Sequence, residues 1–166
     1  MAPPAVECSG LHKSYGSQPA LRGLDLEVPP GSLFGFLGPN GAGKSTTLRI
    51  LSALIRADSG RALVHGVDAR DHVAAAQGVS FLIEEAVFPA HLTARDVLRR
   101  SAAYMGVERD EAVLERVGLA GVAGRRTGGF SHGMRQRLGL VCSLLGAPRL
   151  LVLDAPHNGR APRGLR

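Results

Sequence analysis

The chain has 166 residues, 45% of them apolar and 20% charged, enough to bury one sizeable core, and its 22 glycines point to tight backbone positions rather than to disorder. No run of about 18 uncharged apolar residues occurs, and the first ten residues lack a basic start followed by an apolar stretch, so neither a membrane span nor a secretory signal is expected. The formal charge of +6 sits in the second half, where residues 91–166 carry thirteen arginines against six acids; with no basic cluster interleaved with aromatics, a solvated helical face is expected and no nucleic-acid partner.

In chain order, β-rich apolar runs cover residues 6–11, 21–28 and 33–37, separated by Gly16-Ser17 and Pro29-Pro30-Gly31. A glycine-rich loop follows, then a predicted helix over 45–55 with Leu48, Leu51 and Ile55 at helical spacing. Asp58-Ser59-Gly60 should stop it, and 61–65 and 79–83 read as short strands. Thr93 can cap a helix on which Val97, Leu98 and Tyr104 pack. A short helix is predicted over 110–117, ended by Gly118, and 125–129 reads as a loop. Ser131 is a plausible cap for a helix with Met134, Leu138, Val141 and Leu145 on one face, ended before Pro148. The run 150–153 predicts a strand buried on both faces. Cys8 and Cys142 make no disulfide framework and no zinc site; both read as reduced thiols, Cys142 as a small apolar filler. Alternating strands and helices, with a mostly helical stretch over 85–147, predict an α/β fold.

Gly38-Pro39-Asn40-Gly41-Ala42-Gly43-Lys44-Ser45 fits G-x-x-x-x-G-K-[ST], between a predicted strand and a predicted helix. Glycines let the backbone wrap a phosphate so that amide N–H groups form an anion nest, and the helix start adds its positive end. Lys44 would reach the β- and γ-phosphates, and the Ser45 hydroxyl would ligate magnesium. A plain glycine turn before a helix needs neither the lysine nor the hydroxyl. The loop alone specifies only a nucleoside triphosphate, although no Asn-Lys-x-Asp segment is present to read guanine.

Further segments narrow the class. Phe130-Ser131-His132-Gly133-Met134 resembles the signature motif of ATP-binding cassette (ABC) proteins, and Leu150-Leu151-Val152-Leu153-Asp154 resembles their Walker B strand. Leu11-His12-Lys13-Ser14-Tyr15-Gly16 is similar to the segment that carries their adenine-stacking aromatic. The four motifs stand in the family's order and cover essentially residues 5–166. Residues 81–93, with Glu84-Glu85, Phe88-Pro89 and Leu92-Thr93, resemble the bacitracin and lantibiotic-immunity exporters.

This resemblance implies a P-loop NTPase core with N-terminal antiparallel strands and a helical subdomain. It divides the chain into a nucleotide-binding core (1–84), a helical signature subdomain (85–147) and the Walker B strand with the end of the chain (148–166). It implies ATP and Mg2+ as ligands and export as the process powered. The nucleotide contacts would be Tyr15, Gly38, Pro39, Asn40, Gly41, Ala42, Gly43, Lys44, Ser45 and Thr46. Ser131 and Gly133 would act across a head-to-tail dimer with a second ATP-binding subunit. Ser45, Glu84 and Asp154 would hold magnesium, with Glu85 the alternative to Glu84. A membrane-spanning permease would be the other partner, which places the protein in the cytoplasm, peripheral to the membrane.

Three features depart from the family pattern. Ala155 stands where the family carries a glutamate as general base, and a methyl group neither accepts a proton nor orients water. His157 occupies the place of a hydroxyl residue and is not given that role. Gly159-Arg160-Ala161-Pro162 replaces Gly-Leu-Asp-Pro, and Arg166 ends the sequence before the family's next core strand and switch histidine. The expectation is therefore a truncated cassette with its core sheet incomplete at the C-terminus, binding ATP but hydrolysing it poorly. Two alternatives are a degenerate fragment without function and a soluble ABC-type protein acting on ribosomes or DNA.

Overall fold

A computed structural model describes residues 3–83, 86–108 and 110–154, with only the backbone of His72 and Val73. The chain divides into two compact units, Met1–Val79 and Ser80–Arg166.

The first unit is an antiparallel sheet with one substantial helix. Strands β1 (Val6–Tyr15) and β2 (Gln18–Val28) form a hairpin in which Val6 pairs with Val28 and Tyr15 with Gln18. Gly16, at φ 60, supplies the left-handed residue that a two-residue hairpin loop needs. Both strands run further than their apolar patterns, because ladder pairing extends through the polar stretch His12–Tyr15. Helix α1 (Lys44–Leu51) follows the glycine loop, and β3 (Ser59–Val64) and β4 (Val67–Asp68) complete the sheet in the order β2-β1-β3-β4. His65 and Gly66, both at positive φ, join β3 to β4 in the conformation that primed turns require. A four-residue helix, α2 (His72–Ala75), closes the unit.

Helix α1 packs on β2 and β3, and Thr47, Ile50 and Leu51 of the helix and Val6, Leu11, Leu21 and Val64 of the sheet are buried. It ends at Leu51, short of the predicted Ile55, because Ala53 takes φ 61 and breaks the helical path. The strand predicted over 33–37 is not formed. A strand exists by exchanging backbone hydrogen bonds, and none of the described strands pairs with this segment. Leu33 is fully exposed, Leu37 is 84% exposed and Phe34 is also exposed.

The second unit has strand β5 (Val79–Leu82), all but its first residue, paired with β6 (Leu150–Leu153), and a helical cluster between them in sequence. Helix α3 (Ala94–Met105) opens with a full capping box: the Thr93 hydroxyl accepts from Asp96 N–H at 3.1 Å, and the Asp96 carboxylate accepts from Thr93 N–H at 3.1 Å. Helices α4 (Ala112–Arg116) and α5 (His132–Leu144) pack with it around Leu98, Leu114, Leu119 and Leu138. Val97 and Leu98 are buried as predicted, but Tyr104 is 90% exposed, because its position on α3 turns it away from the cluster. Short 3-10 turns at Ala120–Val122 and Thr127–Gly129 connect the helices, the second inside the predicted loop.

Leu138, Val141 and Leu145 are buried and Met134 packs against them, so the predicted apolar face exists. Gly139 is where α5 meets β5: a Cβ there would lie 2.6 Å from that of Ala86 and 3.2 Å from the Leu82 side chain. Strand β6 is half-buried from Leu150 to Val152 and exposed at Leu153, not enclosed on both faces, since its sheet has two strands among the described residues.

Candidate functional site

Two groups of predicted site residues are described, one in each unit. In the first, the loop from Gly38 to Lys44 is shaped by backbone choice. Gly41 and Gly43 sit at φ 83 and 85, where other residues are strained, and Ala42 N–H closes a turn on the Pro39 carbonyl at 3.2 Å. Gly43 also allows contact with the sheet: a methyl here would overlap the Leu21 side chain and lie 2.6 Å from the Ala20 carbonyl oxygen. Thus β2 braces the start of α1.

Lys44 Nζ donates to the carbonyls of Gly38 at 2.7 Å and Pro39 at 2.8 Å, which holds the ammonium over the loop. Gly43 caps α1 without a side-chain bond, and no acid stands in the first turn, so the positive end of the helix is not neutralised there. Asn40, Gly41, Ala42 and Ser45 are exposed, whereas Thr46 and Thr47 are buried. Thr46 can therefore offer a ligand its backbone N–H more readily than its hydroxyl. This donor set, a held cation with amides and an exposed hydroxyl, fits a magnesium-bound polyphosphate.

Tyr15 ends β1 and is half exposed. It pairs with Gln18, two residues along β2 from Ala20, whose carbonyl approaches Gly43 of the loop. Sequence reasoning missed the support behind Tyr15. Lys13 Nζ lies 6.0 Å from its ring centroid and donates to Asp58 Oδ1 at 2.7 Å. That hydrogen bond, with a second from Ser14 N–H, holds the Asp58 carboxyl below its ordinary pKa. The available signal was Lys13 two residues before Tyr15 on one strand face; Asp58 read only as a helix stop.

In the second unit, Ser131 caps α5, its hydroxyl accepting from Met134 N–H at 3.3 Å. Gly133, one residue inside the helix, is exposed, and a Cβ there would meet nothing within 4 Å, so packing does not require the glycine. Arg135 and Arg137 are occupied with structure: Arg135 Nη1 donates to the Phe130 carbonyl at 2.6 Å and Arg137 Nη1 to that of Val117 at 2.8 Å. Asp154 follows β6 directly, and its N–H donates to the Leu82 carbonyl at 2.9 Å, fixing the backbone beside the end of β5. Glu84, Glu85, Ala155, His157 and residues 159–162 lie outside the described residues. Among the described residues no cluster of three acidic, histidine or cysteine side chains could hold a metal by itself, and no helix is long and apolar enough to cross a membrane.

Comparison with known proteins gives the same direction. Residues 21–158 match the family model described as ABC transporter. The chain is 39% identical to the bacitracin transport ATP-binding protein BcrA of Bacillus licheniformis over 97% of its own length and 54% of that protein's. It is 40% identical to the daunorubicin resistance ATP-binding protein DrrA3 of Streptomyces coeruleorubidus, covering 99% and 54% of the two chains. It is 35% identical to the lantibiotic transport ATP-binding protein SrtF of Streptococcus pyogenes, covering 97% and 70%. A solved ATP binding subunit of an ABC transporter superposes with a TM-score of 0.82 at 27% identity, over 95% of this chain and 69% of that one. The chain thus spans about half the length of BcrA and DrrA3.

Proposed function

This chain belongs to the ABC transporter family, and on that premise we propose that it is the ATP-binding module of an exporter, taking Mg-bound ATP at the loop before α1. The observation that supports this most is Lys44, held over the loop by the Gly38 and Pro39 carbonyls at the start of a helix with no acid in its first turn. Lys44 neutralises the outer phosphates, and the amides from Asn40 to Thr46 wrap the inner ones. Tyr15 carries the adenine by stacking. Magnesium, when bound, neutralises and orients the β- and γ-phosphate oxygens. Ser45, Asp154 and Glu84 are its proposed contacts.

Ser131 and Gly133 serve a second ATP-binding subunit in a head-to-tail dimer. The N-terminus of α5 supplies positive potential, and the open space at Gly133 leaves its backbone accessible to a γ-phosphate. A membrane-spanning permease is the proposed partner through which the chain reaches the cytoplasmic membrane face. Hydrolysis is slow in this reading, because Ala155 offers no proton acceptor, and loss of a general base typically costs about 10²–10⁴ in rate.

Calorimetric titration of the purified chain with Mg-ATP tests the reading, with Lys44→Ala as the control. Lys44-dependent binding is expected, and unchanged affinity in Lys44→Ala would sink it. In the same preparation, Ala155→Glu should raise phosphate release by about 10²-fold or more. A second reading, a degenerate chain with no transport role, draws on the exposed Leu33 and Leu37. A single sharp thermal transition that ATP moves upward overturns it.

A further inference from the structure

We propose that Lys13 and Asp58 are positioning residues that hold Tyr15 as a one-sided platform for a purine base, so that they set base recognition separately from phosphate binding. The inference rests on nucleotide binding at the Lys44 loop. Its starting point is how β1 ends. On the β3 side the ladder stops at His12 paired with Ser59, and on the β2 side the register shifts between Lys13 and Ser14. The last residues of the strand, which carry the aromatic ring, therefore lose ladder support on one edge.

Asp58 supplies that support. Its N–H donates to the His12 carbonyl at 2.9 Å, Oδ2 accepts from Ser14 N–H at 2.7 Å, and Oδ1 accepts from Lys13 Nζ at 2.7 Å. One residue thus holds three consecutive positions immediately before Tyr15. A carboxylate replaces the ladder carbonyl that Ser14 N–H would otherwise need. An exposed ion pair adds little stability by itself, so the consequence of the Lys13–Asp58 pair is geometric.

Lys13 and Tyr15 alternate onto the same face of β1, and the ammonium stands over the ring at 6.0 Å from its centroid, the outer range of a cation–π contact. The Lys13 side chain is mostly covered, with 18% of it exposed, whereas Tyr15 remains half open. The cation takes one face of the ring and draws π density toward it. The opposite face is left for a flat, electron-rich base. Neither Lys13 nor Asp58 belongs to the loop that takes the phosphates, so the two parts of a nucleotide are held by separable residues.

Affinities for Mg-ATP and for magnesium tripolyphosphate, which has no base, distinguish the parts. Wild type, Lys44→Ala, Tyr15→Ala, Lys13→Met, Asp58→Asn and Lys13→Arg are compared by calorimetry, with thermal transitions recorded for each. Tyr15→Ala should weaken ATP by about 5- to 100-fold and leave tripolyphosphate unchanged. Lys13→Met and Asp58→Asn should weaken ATP by about 3- to 10-fold, again sparing tripolyphosphate, and Lys13→Arg should restore it. The inference is overturned if wild type and both variants share one ATP-to-tripolyphosphate ratio, or if both ligands weaken together as the thermal transition falls. Failure of the underlying reading looks different: wild type then binds neither ligand, or Lys44→Ala binds both as well as wild type, and the inference goes with it.

Discussion

Gly43 shows how one residue serves chain path and chemistry together. Its positive φ and its contact with Ala20 and Leu21 leave no space for a side chain, so Gly43→Ala has to move either the loop or β2. Mg-ATP affinity in Gly43→Ala should fall at least tenfold, with stability reduced by about 1–3 kcal/mol, measured by calorimetry and urea unfolding. Cys8 makes a pH prediction. Burial pushes its thiol up to about 11 from 9.0, with Glu7 and Asp25 adding to the rise. Below pH 9 the thiol is protonated in both folded and unfolded chains. Above it the unfolded chain loses the proton first, so stability falls as pH rises from 9 to 11, by no more than about 3 kcal/mol. Cys8→Ala should flatten that part of the urea-stability profile. The Gly43-Lys44-Ser45 chemistry was legible from residue types alone, because a phosphate cradle constrains neighbours in sequence. The Lys13–Asp58 pair was not, because it joins residues 45 positions apart and only the β1–β3 register brings them together.

Among the elements, those with local stop and start signals read best. Thr93 and Ser131 cap α3 and α5 where hydroxyls precede helical patterns, and both bonds are made. Thr93→Ala removes the hydroxyl that accepts from Asp96 N–H and donates to the Asp96 carboxylate, leaving only the backbone N–H arm of the capping box, and should cost about 1–2 kcal/mol in urea unfolding, while Ser131→Ala, which loses one longer bond, should cost about 1 or less. If Ser131 also serves a partner subunit, its variant should lose ATP-dependent dimerisation by sedimentation well beyond that small change in stability. Strands read less well because their existence depends on partners. Residues 33–37 have an apolar strand composition but no described strand pairs with them, while the polar end of β1 is strand because β2 pairs with it. Tyr104 failed for a related reason: helical spacing places it on α3 but does not say which part of α3 faces α5.

At the scale of the molecule, each unit has its own core, one between α1 and its sheet, the other among α3, α4 and α5. The family and the α/β class were readable because motif order survives differences in packing, and the match over residues 21–158 agrees. The exposed row of Leu33, Phe34 and Leu37 was not readable, since its apolar pattern predicts burial. Contiguous exposed apolar residues favour association, so sedimentation of the purified chain should show concentration-dependent self-association that Leu33→Lys with Leu37→Lys reduces.

The brace between β2 and Gly43 also bears on which length changes the chain can accept. Tyr15 is paired with Gln18, and Ala20 and Leu21 touch the helix start, so the hairpin tip acts as a ruler measured in whole residues. The ladder already passes over Ala20 between the Lys13–Leu21 and Ser14–Pro19 pairs, so one more residue between Gln18 and Ala20 would either enlarge that irregularity or exchange the faces of the strand and turn Leu21 outward. Two would restore the faces but displace the ring by about 7 Å. Insertions beyond the tip or after β4 carry no such penalty. Natural and engineered length variation should therefore be scarce at residues 18–21, even though they lie only a turn away from a surface loop.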